Sequence, residues 1–272
     1  MNKGKLFLVA TPIGNLNEIS KRALDVLNMA DVIACEDTRN TLKLLSHFDI
    51  HTKMISYHNF NEDYKSIEII ELLNEGKNVA LVSDAGYPLI SDPGYELVNK
   101  VIEEGIKIET ISGPNAALNA LVASGLSSTH FLFYGFLNPK SSQAKKELES
   151  LKDFPYTIIF YEAPHRINKT LELAYEILGD RKAVIARELT KIHEEFIRGN
   201  LSELVKVGEL KGEIVFLVEG NKKEDEVDYE IIKKEIDDLL KKENKIKDIV
   251  NEIADKYSIP KNKIKDLIYN HN

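Results

Sequence analysis

Residues 78–104 read NVALVSDAGYPLISDPGYELVNKVIEE. Asn78–Ser83 is a nearly unbroken apolar run of strand length, the pattern of a strand covered on both faces. Tyr95–Glu104 is amphipathic at helical spacing. The loop between them, Asp84–Gly94, is dense in Gly, Pro, Ser and Asp, the residues that make turns. Strand, turn-rich loop and helix form half of a βαβ unit, and the same succession recurs along most of the chain. Strands are predicted at Lys5–Thr11, Asp31–Cys35, Lys53–Ser56, Lys107–Ile111, Phe131–Tyr134, Thr157–Tyr161, Ala183–Arg187, Glu195–Arg198 and Glu213–Val218. Helices are predicted between many of them, including Lys21–Met29 and Tyr64–Asn74. The alternation predicts an α/β protein with largely parallel sheets.

The first sheet is expected to give way to a second near Ile111–Asn115, in the loop SGPNAA. After Gly220 the composition changes to a charged linker, NKKEDEVD at 221–228, followed by helical patterns only. Ile246, Ile249, Val250, Ile253 and Tyr257 form one stripe. Ser258 is a candidate cap, Pro260 fits a first turn, and Ile264, Leu267 and Ile268 form the next stripe. The predicted organisation is therefore an α/β domain at 1–112, a second at 113–220, and a linker with a small helix-turn-helix-like domain at 221–272.

Composition narrows the function. The chain has 272 residues, 43% of them hydrophobic, with one Cys and no Trp. That length gives two domains ample core. One Cys excludes a disulfide framework and a Cys-based zinc cluster. No apolar run exceeds five residues, so no membrane span and no signal peptide are expected, and a cytoplasmic location follows. The net charge of −8 argues at first against a nucleic-acid substrate. It is unevenly spread, however: residues 1–240 carry −11, and residues 241–272, with eight Lys against five acids, carry +3. A local basic surface is compatible with RNA, and the tail is a candidate secondary hold.

In parallel α/β sheets ligands bind beyond the carboxyl ends of strands. The loops that stand out there are Thr11–Asn15, Glu36–Arg39, Asp84–Gly94, Ser112–Ala116 and Glu162–Arg166. The chain lacks G-x-G-x-x-G, G-x-x-x-x-G-K-[ST] and G-x-S-x-G, which sets aside a dinucleotide fingerprint, a P-loop and a nucleophile elbow. Its seven His show no metal-ligand spacing.

Five ordered segments are more specific: LFLVATPIGNLNEIS (6–20), ACEDTRNTLKLLSHF (34–48), VALVSDAGYPLISDPGYELV (79–98), FYEAPHRI (160–167) and ARELTKIHEEFIRGNLSEL (186–204). They resemble the signature segments of bacterial small-subunit ribosomal RNA (cytidine-2′-O)-methyltransferases, within the tetrapyrrole methylase superfamily. The resemblance implies two α/β domains with S-adenosyl-L-methionine in the cleft between them, and a homodimer. It implies methyl transfer to the ribose 2′-hydroxyl of a cytidine in the decoding region of small-subunit ribosomal RNA or the 30S particle. By position it places the cofactor against Pro12, Asp84, Gly86, Ile90, Asn115, Ala116, Tyr161, Leu189 and Ile214. Tyr87 stands where the family pattern carries Thr, and Asn115-Ala116 where relatives often carry Ser or Thr. Related activities, on a tetrapyrrole or a protein side chain, and a non-catalytic ribosome-binding relative are the alternatives.

Such a reaction needs a proton acceptor for a weakly nucleophilic hydroxyl. Asp37, Glu162, His165 and Glu188 are the candidates, left open among themselves. Arg39, Arg166 and Arg187 are the candidate phosphate or ribose contacts, because guanidinium forks match phosphate oxygens. Cys35 reads as core.

Overall fold

A computed structural model describes residues 3–221, 229–242, 245–257 and 259–269. The elements of the first half are β1 (Lys5–Val9), α1 (Lys21–Met29), β2 (Val32–Cys35), α2 (Thr38–His47), β3 (Met54–Ser56), α3 (Glu62–Asn74), β4 (Val79–Val82), α4 (Tyr95–Glu103) and β5 (Lys107–Ile111). The five strands form one parallel sheet in the order β3-β2-β4-β1-β5. Alternation along each strand decides the layers. Phe7, Val9, Ile33, Cys35, Ala80 and Val82 face Ala23, Val26, Leu27 and Leu45 of α1 and α2. Leu6, Val32, Ala34, Val79 and Leu81 face Ile69, Leu73, Leu97 and Val101 of α3 and α4. Both faces are covered, which explains the unbroken apolar strands. Val9 pairs with Val82 and with Ile111, so β1, β4 and β5 end level and release their loops side by side.

The second half continues with α5 (Ala116–Ser124), β6 (Phe131–Phe136), α6 (Ser141–Ser150), β7 (Thr157–Glu162), α7 (Ile167–Leu178), β8 (Lys182–Arg187), β9 (Glu195–Asn200), α8 (Leu201–Leu204) and β10 (Ile214–Val218). Its sheet has the order β6-β7-β10-β8-β9. Only β6–β7 is parallel; β10 runs antiparallel to both β7 and β8, and β9 antiparallel to β8. The expectation of largely parallel sheets is corrected here. The β8–β9 connection is residues 188–194, with no helix, and a parallel crossover needs about a dozen residues or more. One face of this sheet buries Leu148, Leu171, Leu201 and Leu204 of α6, α7 and α8. The other buries Ala117, Ala120 and Leu121 of α5, joined by Ile13 from the loop after β1.

Residues 1–221 form one compact unit holding both sheets, and residues 222–272 form another. In the second, α9 (Tyr229–Lys241), α10 (Ile246–Tyr257) and α11 (Lys261–Tyr269) share a core of Ile232, Ile236, Ile249, Val250, Ile253, Ile264 and Ile268. Both predicted stripes supply it, although Ile246 is exposed. Lys256 and the Tyr257 hydroxyl both reach Glu235 of α9, so this lysine is committed within the unit. Linker residues 222–228 and the cap candidate Ser258 lie outside the described residues.

Candidate active site

The loops leaving β1, β4 and β5 meet the ends of β6, β7, β8 and β10 around a cavity of about 410 Å³. That volume suits a small-molecule site. From the first sheet come Ile13, the stretch Ala85–Tyr87 and the stretch Ile90–Asp92; Asn115 and Ala116 open α5. From the second come Phe136, Tyr161–Pro164, Leu189 and Gly212–Val215.

Backbone bonding fixes this rim. Thr11 and Gly86 exchange N–H···O bonds of 2.8 and 3.0 Å, tying the β1 exit to the β4 exit. The Thr11 hydroxyl donates to the Ser83 carbonyl at 3.2 Å. Tyr87 accepts the Gly113 N–H on its phenol oxygen at 3.2 Å and so anchors the β5 exit as well. Gly113 has no room for a side chain: a Cβ would sit 2.9 Å from that of Ala10. Asn115 caps α5, accepting the Leu118 N–H at 2.9 Å, and the start of that helix lies in the wall.

Strain is concentrated on the two walls. Leu89 (φ 70°) and Ser91 (φ 67°) flank Ile90; Glu188 (φ 51°) and Thr190 (φ 66°) flank Leu189. Left-handed backbone at non-glycine residues costs roughly 1–3 kcal/mol each and gathers where function requires it. Thr190 is β-branched and also buries its hydroxyl oxygen without a partner. The result is that Ile90 and Leu189 are presented as cavity walls.

Of the residues expected at the cofactor, Gly86, Ile90, Asn115, Ala116, Tyr161, Leu189 and Ile214 line the cavity. Pro12 and Asp84 do not. Pro12 is buried next to Ile13, which takes its place. Asp84 is exposed and latches the β2–α2 turn, accepting the Asp37 N–H at 3.3 Å and the Asn40 amide at 2.9 Å.

The base candidates fare differently from expectation. Asp37 caps α2 and is gripped by the Arg39 N–H and guanidinium, which hold its carboxyl down at about 2. Glu188 accepts the Glu213 N–H and the Lys191 ammonium, each at 3.0 Å, and these bonds lower its pKa. His165 is exposed in the turn before α7, outside the wall. Glu162 reaches the wall, but its side chain is 1% exposed and both oxygens are engaged. Oε1 accepts the Ala163 N–H at 2.9 Å and pairs with Arg166 Nε at 3.2 Å; Oε2 accepts the Thr170 hydroxyl at 2.5 Å. Both oxygens of this buried carboxylate are therefore satisfied by protein partners.

The arginines divide similarly. Arg166 donates to the carbonyls of Leu137 (2.8 Å) and Asn138 (3.3 Å), and Arg187 pairs with Glu195 at 2.6 Å. Both are engaged by protein partners, Arg187 at the surface. Arg39, its side chain 86% exposed, offers guanidinium surface to an external anion.

Asp92 is the acid that sequence reasoning missed. It lines the cavity and also a smaller space behind it shared with Glu36 and Ser83. Burial pushes its carboxyl up to about 6; Glu36 and Asp84 add repulsion, while the Ser83 hydroxyl opposes the rise. Glu36 is raised too, first by burial and then by Asp84. The available signal was the second Asp of the β4 loop, in S-D-P-G, eight residues beyond the strand-end Asp84. Among the described residues, Asp92, Glu162 and Glu213 are the charged residues of the wall, with no Lys, Arg or His. Glu162 and Glu213 are paired with Arg166 and Lys191, so Asp92 is the acid that marks this aliphatic and aromatic wall, which fits a ligand that is flat and apolar in part and cationic at its centre. S-adenosyl-L-methionine, a sulfonium attached to an adenosine, is such a ligand.

The model of the family described as Tetrapyrrole (Corrin/Porphyrin) Methylases matches residues 5–205. The chain belongs to this family. As a tetrapyrrole methylase family member it is a methyltransferase. It is 46% identical over 276 residues to the ribosomal RNA small subunit methyltransferase I of Bacillus subtilis, covering 98% of this chain and 94% of that protein. The enzyme of the same name from Thermotoga maritima is 45% identical over 220 residues, covering 80% of this chain and 99% of its own. A crystal structure of diphthine synthase matches with a TM-score of 0.63 at 17% identity, over 80% of this chain and 90% of that one. Uroporphyrin-III-C-methyltransferase from Thermus thermophilus matches at 0.55 and 20%, over 80% and 94%. At those identities the two structures speak to the tetrapyrrole methylase fold alone. No helix among the described residues is long and apolar enough to cross a membrane. Those residues also gather no group of three or more His, Cys, Asp and Glu suited to a metal.

Proposed function

We propose that this protein transfers a methyl group from S-adenosyl-L-methionine to the ribose 2′-hydroxyl of a cytidine in small-subunit ribosomal RNA. The observation that carries the reading is the cavity wall: aliphatic and aromatic, with Asp92 in it and no basic side chain, in a chain close to rRNA methyltransferases over nearly its whole length. When bound, S-adenosyl-L-methionine supplies an electrophilic methyl group on a sulfonium.

The chain's own residues supply the rest. Ile13, Ile90, Leu189, Ile214 and Val215 form the apolar bed and exclude water. The Thr11–Gly86 and Tyr87–Gly113 bonds keep the rim rigid, and alignment of the reacting groups contributes roughly 7–11 kcal/mol in well-ordered sites. Asp92 takes the proton from the hydroxyl. With its carboxyl at about 6 it is ionised near neutral pH yet more basic than a solvated aspartate, the compromise a general base needs. Asp37, Glu162 and Glu188, held by their own partners, keep the loops in place. Arg39 contacts RNA phosphate.

The reading extends to two domains, 1–112 and 113–220, meeting at the cavity, to a cytoplasmic site of action on the 30S particle, and to a homodimer. A dimer is supported by large apolar side chains left in solvent: Phe60, Tyr64 and Ile67 at α3, and Tyr95 on the neighbouring α4. Light scattering at micromolar concentration tests it, a monomer mass overturning it. The reaction is tested by incubating the protein with tritiated S-adenosyl-L-methionine and unmodified 30S particles, then mapping the product. One 2′-O-methylcytidine is expected. Methylation of a base, or no transfer, contradicts the reading.

A further inference from the structure

The end of β6 contains an irregularity that changes which way one side chain points. Phe133 pairs with Ile159, but the register then shifts, so that Gly135 pairs with Phe160 and Phe136 with Tyr161. Gly135 makes the shift at φ 85°, a conformation that favours glycine. Without the extra residue, alternation would put Phe136 on the face of Leu132 and Tyr134, which pack into the α6–α7 core. With it, Phe136 stands on the face of Phe133 and Tyr161, at the cavity. Bulges near active sites re-aim side chains in this way.

The outcome costs burial. Phe136 remains 52% exposed, whereas Ile13, Leu189, Ile214 and Val215 deeper in the wall are each 7% exposed or less. One side of its ring is backed by Tyr161, centroids 5.6 Å apart and planes at 63°. The following residues are fixed: Leu137 is buried, and Arg166, braced by Glu162, holds the carbonyls of Leu137 and Asn138. The ring lines the same cavity as Ser91 and Asp92 of the loop that carries the proposed base. An aromatic ring that is rigidly mounted, open to solvent and set at the mouth of the site matches how proteins hold unstacked RNA bases.

We propose that Phe136 is the platform on which the base of the target nucleotide stacks. The inference rests on the RNA-methylation reading. It assigns the base to the mouth of the cavity and leaves the deeper aliphatic wall to the cofactor.

The test uses full-length protein, 30S particles and three variants. Phe136→Ala and Phe136→Leu should lower kcat/KM for the particle roughly 10- to 100-fold, the range of one lost stacking contact. Phe136→Trp should stay within about threefold of wild type. Affinity for S-adenosylhomocysteine, measured by calorimetry, should change less than about twofold in all three, which also reports that they fold. Unchanged turnover in Phe136→Ala overturns the proposal. So does Phe136→Leu matching wild type, because apolar bulk would then suffice. A parallel loss of S-adenosylhomocysteine affinity also overturns it, moving the ring to the cofactor. If wild type itself fails to methylate the particle, the underlying reading falls and the proposal with it; an active wild type with active variants sinks only the stacking role.

Discussion

The loop after β4 and the turn after β7 each bring a carboxylate to the same cavity, in opposite surroundings. Glu162, at the end of β7 where that turn begins, is sealed by a backbone N–H, an arginine and a threonine hydroxyl. Asp92, in the loop, faces burial and two like charges against the help of one serine hydroxyl. Equal chemistry in the side chain thus yields a saturated carboxylate in one place and, in the proposed mechanism, the proton acceptor in the other. Hydrogen-bond saturation, more than position at a strand end, sorts the two.

The largest effect should come from removing the reactive acid. Asp92→Asn should cut the rate of methyl transfer by roughly 10²–10⁴. S-adenosylhomocysteine binding should persist, as calorimetry would show. A variant with near-wild-type turnover would erase the distinction. Glu162→Gln is next. It should lower stability by roughly 1–3 kcal/mol in urea titration, by weakening a buried charged network, while folded enzyme stays active. A drop in turnover as deep as that of Asp92→Asn, with stability intact, would reverse the two roles.

Asp92 should also affect stability. Its folded carboxyl, at about 6, lies above the unfolded value near 3.8, so folding favours the protonated form. The contribution is present below about pH 4, fades as pH rises through about 6, and leaves the ionised group destabilising at neutral pH. Asp92→Asn should therefore raise Tm at pH 7–8, by roughly 2–4 °C for each kcal/mol relieved, and have little effect near pH 4. The smallest effect belongs to Asp37→Asn. Asn caps helices as well as Asp does, so Tm and turnover should both stay near wild type. A large loss of turnover would return Asp37 to the chemistry.

The fold was largely legible in the sequence. The ten strands among the described residues lie where strand patterns predict them, most plainly β2, β4 and β10, where burial on both faces leaves little room for polar residues. The direction of β10 was not legible. It depends on insertion between β7 and β8, a long-range pairing that no local pattern records. Much of the cavity wall was anticipated from the resemblance and from the strand-end rule. Asp92 escaped because the β4 loop folds back through left-handed turns at Leu89 and Ser91, which Leu and Ser do not advertise. The saturation of Glu162 was not legible for a related reason: its partner Thr170 lies one turn into α7. Phe136 was hidden by a single bulge.

The pH dependence of kcat/KM for methyl transfer to 30S particles tests Asp92 as the proton acceptor most directly. The wild-type value should rise with pH through an inflection at about 6 and level off above it, and the inflection should vanish in Asp92→Asn. A flat wild-type profile between pH 5 and 8, or the same inflection surviving in the variant, would contradict it.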